Sequence, residues 1–133
     1  MSGGILAVDI LIAEDEPSIL ESLDFILRRA GWTIDAVTDG EAALEAVRRL
    51  RPRMLVLDVM LPKRSGFEVL KQIRADAETH ALPVLVLTAK GQQQDRRIAE
   101  EFGADVFITK PYANADVVDA VRALMDPATS GQL

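Results

Sequence analysis

The chain has 133 residues, 49% hydrophobic and 27% charged, which suits one globular domain with its own core. No apolar stretch approaches the roughly 18 residues of a membrane helix. The start Met1-Ser2-Gly3-Gly4 lacks the pattern of a secretory signal, and the absence of cysteine excludes disulfides and thiolate metal sites and fits a cytoplasmic protein. Fifteen Lys+Arg against 21 Asp+Glu give a net charge of −6, which argues against a nucleic-acid-binding surface.

The first apolar run, residues 9–13, ends on two acids, Glu14 and Asp15. Pro17 and Ser18 then open a helix with Ile19, Leu20, Leu23, Ile26 and Leu27 on one face, and Gly31 ends it. Residues 33–37 alternate apolar with polar and read as an edge strand, with Trp32 packed where the first helix meets it. Asp39 is placed to cap a second helix built on Ala43, Leu44, Val47 and Leu50, which Arg51-Pro52 ends. The third run, residues 54–58, is continuously apolar until it closes on Asp58. Ser65 with Glu68 makes a capping box for a third helix carrying Phe67, Leu70 and Ile73.

Residues 83–88 form another continuous run, ending on Thr88. Ile98, Ala99 and Phe102 make a weaker fourth helical pattern, closed by Gly103. Residues 106–109 are a short fifth run, followed by Lys110. Asn114 is placed to cap a fifth helix on Val117, Val118, Val121, Leu124 and Met125, and Pro127 to stop it. The basic cluster Arg48, Arg49, Arg51 and Arg53 answers the dipole of the second helix, and His80 is a surface residue.

Strands alternating with helices imply an α/β fold, a parallel sheet covered on both faces. The flavodoxin-like (βα)5 order 2-1-3-4-5 puts the first run beside the third. Glu14, Asp15 and Asp58 then meet in one crevice at the sheet's C-terminal edge. Three converging carboxylates repel and need a cation, and oxygen-only ligands select a hard divalent ion, Mg²⁺ first, with Mn²⁺ as a substitute. Asp58 is the candidate nucleophile toward phosphorus, with Thr88 and Lys110 on the same edge to bind phosphoryl oxygens.

Four segments, each at a strand end, carry a family resemblance: Ile12-Ala13-Glu14-Asp15-Glu16-Pro17, then Leu57-Asp58-Val59-Met60-Leu61-Pro62 with Gly66, then Leu87-Thr88-Ala89, then Thr109-Lys110-Pro111-Tyr112. Over residues 7–126 the chain resembles the receiver domain of two-component response regulators (CheY-like), leaving an extension at 1–6 and a short tail at 127–133. The resemblance implies roles. Asp58 is the phosphoacceptor. Glu14 and Asp15 hold the metal, joined by the backbone carbonyl of Met60. Lys110 pairs with the phosphoryl group, and Thr88 binds it and acts as the switch, followed by Phe107. Ala89 leaves the acceptor open to its donor, and the bond before Pro111 is cis.

The first acid is Glu14 where many members have Asp, and Phe107 stands where Tyr is common. The implied partners are a sensor histidine kinase or histidine phosphotransfer protein, and a downstream target that docks on the fourth helix, fifth strand and fifth helix. A tail of residues 127–133 is too short for an output domain, so output is expected through that target, without direct nucleic-acid or membrane contact. The domain is expected to be a monomer or a phosphorylation-dependent dimer, and not an enzyme beyond its own phosphorylation and dephosphorylation. Two alternatives are a phosphorylation-independent interaction module of the same shape and a phosphatase on a related sheet. The first usually lacks a key residue. The second needs an acid two residues after the nucleophile, where this chain has Met60.

Overall fold

The computed structural model describes residues 8–89 and 93–126, apart from the side chains of Ala89 and Gln93. The expected extension at 1–6, the tail at 127–133 with its stop at Pro127, and the opening at Ala89 lie outside the described residues. The elements run β1 (Ile10–Ala13), α1 (Pro17–Arg29), β2 (Ile34–Val37), α2 (Gly40–Leu50), β3 (Met54–Asp58), α3 (Gly66–Ala75), β4 (Val84–Ala89), α4 (Gln93–Glu101), β5 (Val106–Lys110) and α5 (Asn114–Met125). All strand pairs are parallel, in the order β2-β1-β3-β4-β5.

The continuously apolar runs are the inner strands. Every residue of β1 and β3 is buried, whereas β2 exposes Asp35 and β5 is half-buried throughout. Strand periodicity splits the core in two. Leu11, Ala13, Leu55 and Leu57 pack with Ala43, Val69, Ile73 and Ala99, on the side of α2, α3 and α4. Ile10, Ile12, Met54 and Val56 pack with Leu23, Leu27, Val117 and Val121, on the side of α1 and α5.

Two expected caps are present. Asp39 accepts from the Ala42 N–H at 2.7 Å, and Ser65 and Glu68 form the reciprocal box. Asn114 is a correction. The residue outside α5 is Ala113, and no side chain caps that end. Asn114 has already entered the helix, one place too late for its side chain to reach the first free N–H groups. Asp9 and Thr33, read as strand residues, lie just before β1 and β2. They clamp those strand starts with side-chain bonds, Asp9 N–H to Thr33 Oγ1 at 2.8 Å and Thr33 N–H to Asp9 Oδ2 at 3.0 Å. Trp32 packs on the α1 and α5 side, under the Arg122 guanidinium at 5.3 Å.

Backbone hydrogen bonds fix the start of the connection from β3 to α3. Val59 N–H donates to the Leu87 carbonyl at 3.0 Å, and Gly66 N–H returns to the Val59 carbonyl at 2.8 Å. This brings the Gly66 backbone so close to the Asp58 carbonyl that a Cβ there would overlap it. Gly66→Ala should therefore displace the loop beneath Asp58. Overpacking of this kind costs about 1–3 kcal/mol. The variant should unfold at lower urea concentration with an unchanged m-value, and an unchanged midpoint would refute the close approach.

Candidate functional site

The sheet register assembles the site. Ala13 lies opposite Leu57, so Glu14 and Asp15 leave β1 beside Asp58, the last residue of β3. Asp58 lies opposite Leu87, and Ala89 opposite Lys110, so Thr88 and Lys110 end their strands on the same edge. Carboxylate oxygens of Glu14, Asp15 and Asp58 lie within 4.8 Å of one another. Glu14 is 1% exposed and Asp58 3%, while Asp15 faces solvent. An open cleft of about 550 Å³ is lined by these acids together with Met60, Ser65 and Lys110.

Lys110 carries the compensating charge. Its Nζ lies 3.1 Å from Glu14 Oε1 and 3.5 Å from Asp58 Oδ1. The other oxygen of Glu14 accepts from the Glu16 N–H at 3.1 Å. One ammonium does not balance two buried carboxylates. Burial first, and the Glu14 charge second, push the Asp58 carboxyl up to about 6, with Lys110 and the Met60 backbone opposing. Asp58 Oδ1 is fully buried and accepts no hydrogen bond. A buried carboxylate oxygen without a donor is costly, and it is the atom a cation would satisfy. The donor set is oxygen only and electron-rich, so the residues present fit a hard divalent ion.

Thr88 and Phe107 sit one and two strands from Asp58, both on the α4 side of the sheet. Thr88 is buried, and its hydroxyl donates to Asp95 Oδ2 on α4 at 3.3 Å. The Arg96 guanidinium lies over the Phe107 ring, 5.3 Å from its centre. Neither Asp95 nor Arg96 stood out in the sequence, since an acid and a base in the first turn of a polar helix read as solvated charges. Tyr112 also went unmarked beyond its place in a motif. Its phenol is raised by burial, and further by the charges of Glu14 and Asp58, which puts it in the field of the site. Its position directly after Lys110-Pro111 was the available signal. The Lys110–Pro111 bond is cis.

Met60 is 70% exposed at the cleft mouth, so no acid stands two residues after Asp58. The four arginines at the end of α2 are each paired: Arg48 with Asp76, Arg49 with Glu45, Arg51 with Glu78 and Arg53 with Asp9. His80 is exposed.

Comparison with known proteins agrees with this geometry. The chain is 44% identical over 118 residues to a Mycobacterium tuberculosis protein named "Probable transcriptional regulatory protein TcrX", covering 89% of this chain and 50% of that one. It is 40% identical over 116 residues to the alkaline phosphatase synthesis transcriptional regulatory protein PhoP of Bacillus subtilis, covering 87% and 48%. The chain thus spans about half the length of these curated relatives. Among solved structures, the receiver domain of the sensor histidine kinase PA1611 from Pseudomonas aeruginosa superposes with a TM-score of 0.82 at 27% identity, covering 90% of this chain and 98% of that one. That structure has a magnesium ion coordinated in its active-site cleft. Residues 10–122 match the sequence model described as the response regulator receiver domain, and the chain belongs to that family.

Proposed function

We propose that this receiver accepts a phosphoryl group on Asp58 from the phosphohistidine of a sensor histidine kinase or a histidine phosphotransfer protein. The observation that carries the reading is the buried Asp58 oxygen with no hydrogen-bond donor, facing Lys110 and flanked by Glu14 and Asp15. Asp58 is ready to attack. A bond forms between its oxygen and phosphorus as the P–N bond to the donor imidazole breaks, and the nitrogen leaves with the electron pair. Lys110 lies close enough to shift from Asp58 to an oxygen of the transferred group. Thr88, one strand away, supplies a hydroxyl to the same group.

Glu14, Asp15, Asp58 and the Met60 carbonyl would hold Mg²⁺, or Mn²⁺ in its place. The ion neutralises charge on the carboxylate and the phosphoryl oxygens when bound. Positioning and charge neutralisation are most of what phosphoryl transfer requires. The domain therefore acts on its own aspartate and turns over no separate substrate. A hydrolase on this sheet is not favoured, because Met60 occupies the place of its second acid.

The reading extends to output. Phosphorylation would alter the α4-β5-α5 surface through Thr88 and Phe107, and a downstream protein would read that surface, as monomer or as a phosphorylation-dependent dimer. The pairing of all four arginines at the end of α2 supports a domain that does not itself hold nucleic acid. Among the described residues no helix is long and apolar enough to cross a membrane, which supports placing the domain in the cytoplasm. We take residues 7–126 as the domain.

Three measurements test this. With Mg²⁺ and a small acyl phosphate, the intact mass should rise by one phosphoryl group, and Asp58→Asn should stay unlabelled. Equal labelling of the variant would sink the assignment.

Asp15→Asn should weaken Mg²⁺ binding by roughly tenfold or more, through loss of one charged ligand. It should also raise metal-free stability by relieving repulsion. Unchanged Mg²⁺ affinity would remove Asp15 from the ligand set.

The third is a pH dependence. The folded, metal-free domain holds the Asp58 proton up to about pH 6, against an ordinary 3.8, so folding binds that proton more tightly than the unfolded chain does. A raised acid favours the fold at low pH, and that contribution is lost as pH rises from about 4 through about 6. The stability of Asp58→Asn relative to the parent should therefore grow across this window, by on the order of 2–3 kcal/mol. Denaturant unfolding in chelator measures it, and a pH-independent difference would mean Asp58 is already ionised in the fold at pH 5.

A further inference from the structure

We propose that Asp95 is a positioning residue for the switch. Its carboxylate holds the Thr88 hydroxyl in the resting domain and competes with an incoming phosphoryl group for it. This rests on Thr88 being the hydroxyl that answers a phosphoryl group on Asp58.

The geometry is specific. Thr88 is 1% exposed, and its Oγ1 donates to Asp95 Oδ2 at 3.3 Å. A threonine hydroxyl has one hydrogen to give. Hydrogen bonding to Asp95 and to a phosphoryl oxygen are therefore alternatives. The half-buried Asp95 carboxylate also stands near a group that becomes more negative on phosphorylation, and the two repel. Both effects make binding at Asp58 unfavourable to the Thr88–Asp95 contact. By linkage, the contact is equally unfavourable to binding at Asp58.

The next residue extends the effect to the second switch side chain. Arg96 lies over the Phe107 ring, so one turn of α4 touches both Thr88 and Phe107. The opposite end of α4 is fastened. Arg74 on α3 donates to the Gly103 carbonyl from Nε at 3.0 Å and from Nη2 at 2.8 Å, and pairs with Asp105. Losing the Asp95 contact would thus free the first turn of α4 about an end that stays in place.

The test is a thermodynamic cycle on the whole chain. Beryllium fluoride with Mg²⁺ stands in for the phosphoryl group, with bound fluoride followed by ¹⁹F NMR. The proteins are the parent, Asp95→Ala, Thr88→Ala and the double variant. Asp95→Ala should bind the mimic roughly three- to tenfold more tightly, as expected for removing one competing hydrogen bond that is long and only half-buried. In the Thr88→Ala background only the relief of repulsion remains, so the same substitution should tighten binding by less than about twofold. Without the mimic, the Phe107 amide of Asp95→Ala should already move toward its mimic-bound position. Asp95→Asn keeps an acceptor oxygen without the charge and should fall between parent and Asp95→Ala. It also serves as the variant least disturbing to the helix. Equal tightening with and without Thr88 would show that Asp95 acts by charge alone and overturn the proposal. Unchanged affinity in Asp95→Ala would also overturn it. A parent that fails to bind the mimic would instead sink the phosphoacceptor reading beneath it.

Discussion

Two buried carboxylates, Glu14 and Asp58, share one ammonium, Lys110, and a third acid, Asp15, stands beside them in solvent. The rest of the domain is arranged around tolerating that imbalance. Burying a charge is costly unless it is paired and hydrogen-bonded. Glu14 meets that condition, with Lys110 on one oxygen and the Glu16 N–H on the other. Asp58 does not, since Oδ1 has only the longer Lys110 contact. The deficit is placed on the residue proposed to react. The apolar strands behind it offset the cost, since β1 and the four residues of β3 before Asp58 are fully buried. A site optimised for stability alone would give Asp58 Oδ1 a donor, and that donor would make it poorer at the nucleophilic and metal-binding roles proposed for it.

Most of this was legible because its signals are local in sequence and the fold only has to bring strand ends together. A continuously apolar run must be an inner strand, so the runs at 54–58 and 83–88 announced β3 and β4, and an acid or hydroxyl closing such a run must sit at the sheet edge. The order of strands then does the rest, since one crossover puts Glu14 beside Asp58. What escaped depends on side-chain direction and on single-residue phase. Asn114 is one residue inside its helix, a shift that patterning cannot resolve. Asp9 and Thr33 are mutual clamps across two strand starts, a pairing that exists only in three dimensions. Asp95 lies in a helix whose sequence, Gln-Gln-Asp-Arg-Arg-Ile-Ala-Glu-Glu, offers no reason to single out one acid.

That same polar helix explains how an event at Asp58 could reach the surface. α4 is unevenly attached. Toward its C-terminal end Ala99 is buried, the Phe102 ring just beyond meets Phe67 edge-on at 6.3 Å, and Arg74 bonds the Gly103 carbonyl twice. These contacts are apolar or multiply hydrogen-bonded, and a charge appearing at the sheet edge barely changes them. Toward its N-terminal end the contacts with the sheet among the described residues include one hydroxyl-to-carboxylate bond and one cation over a ring. Such contacts depend on the local field, and each contributes on the order of 1 kcal/mol. Elements with few buried apolar contacts open at low free energy. A phosphoryl group on Asp58 would therefore perturb α4 where its described contacts depend on charge, next to Thr88 and Phe107. The weak apolar pattern that makes this helix hard to read is the property that would let the site move it.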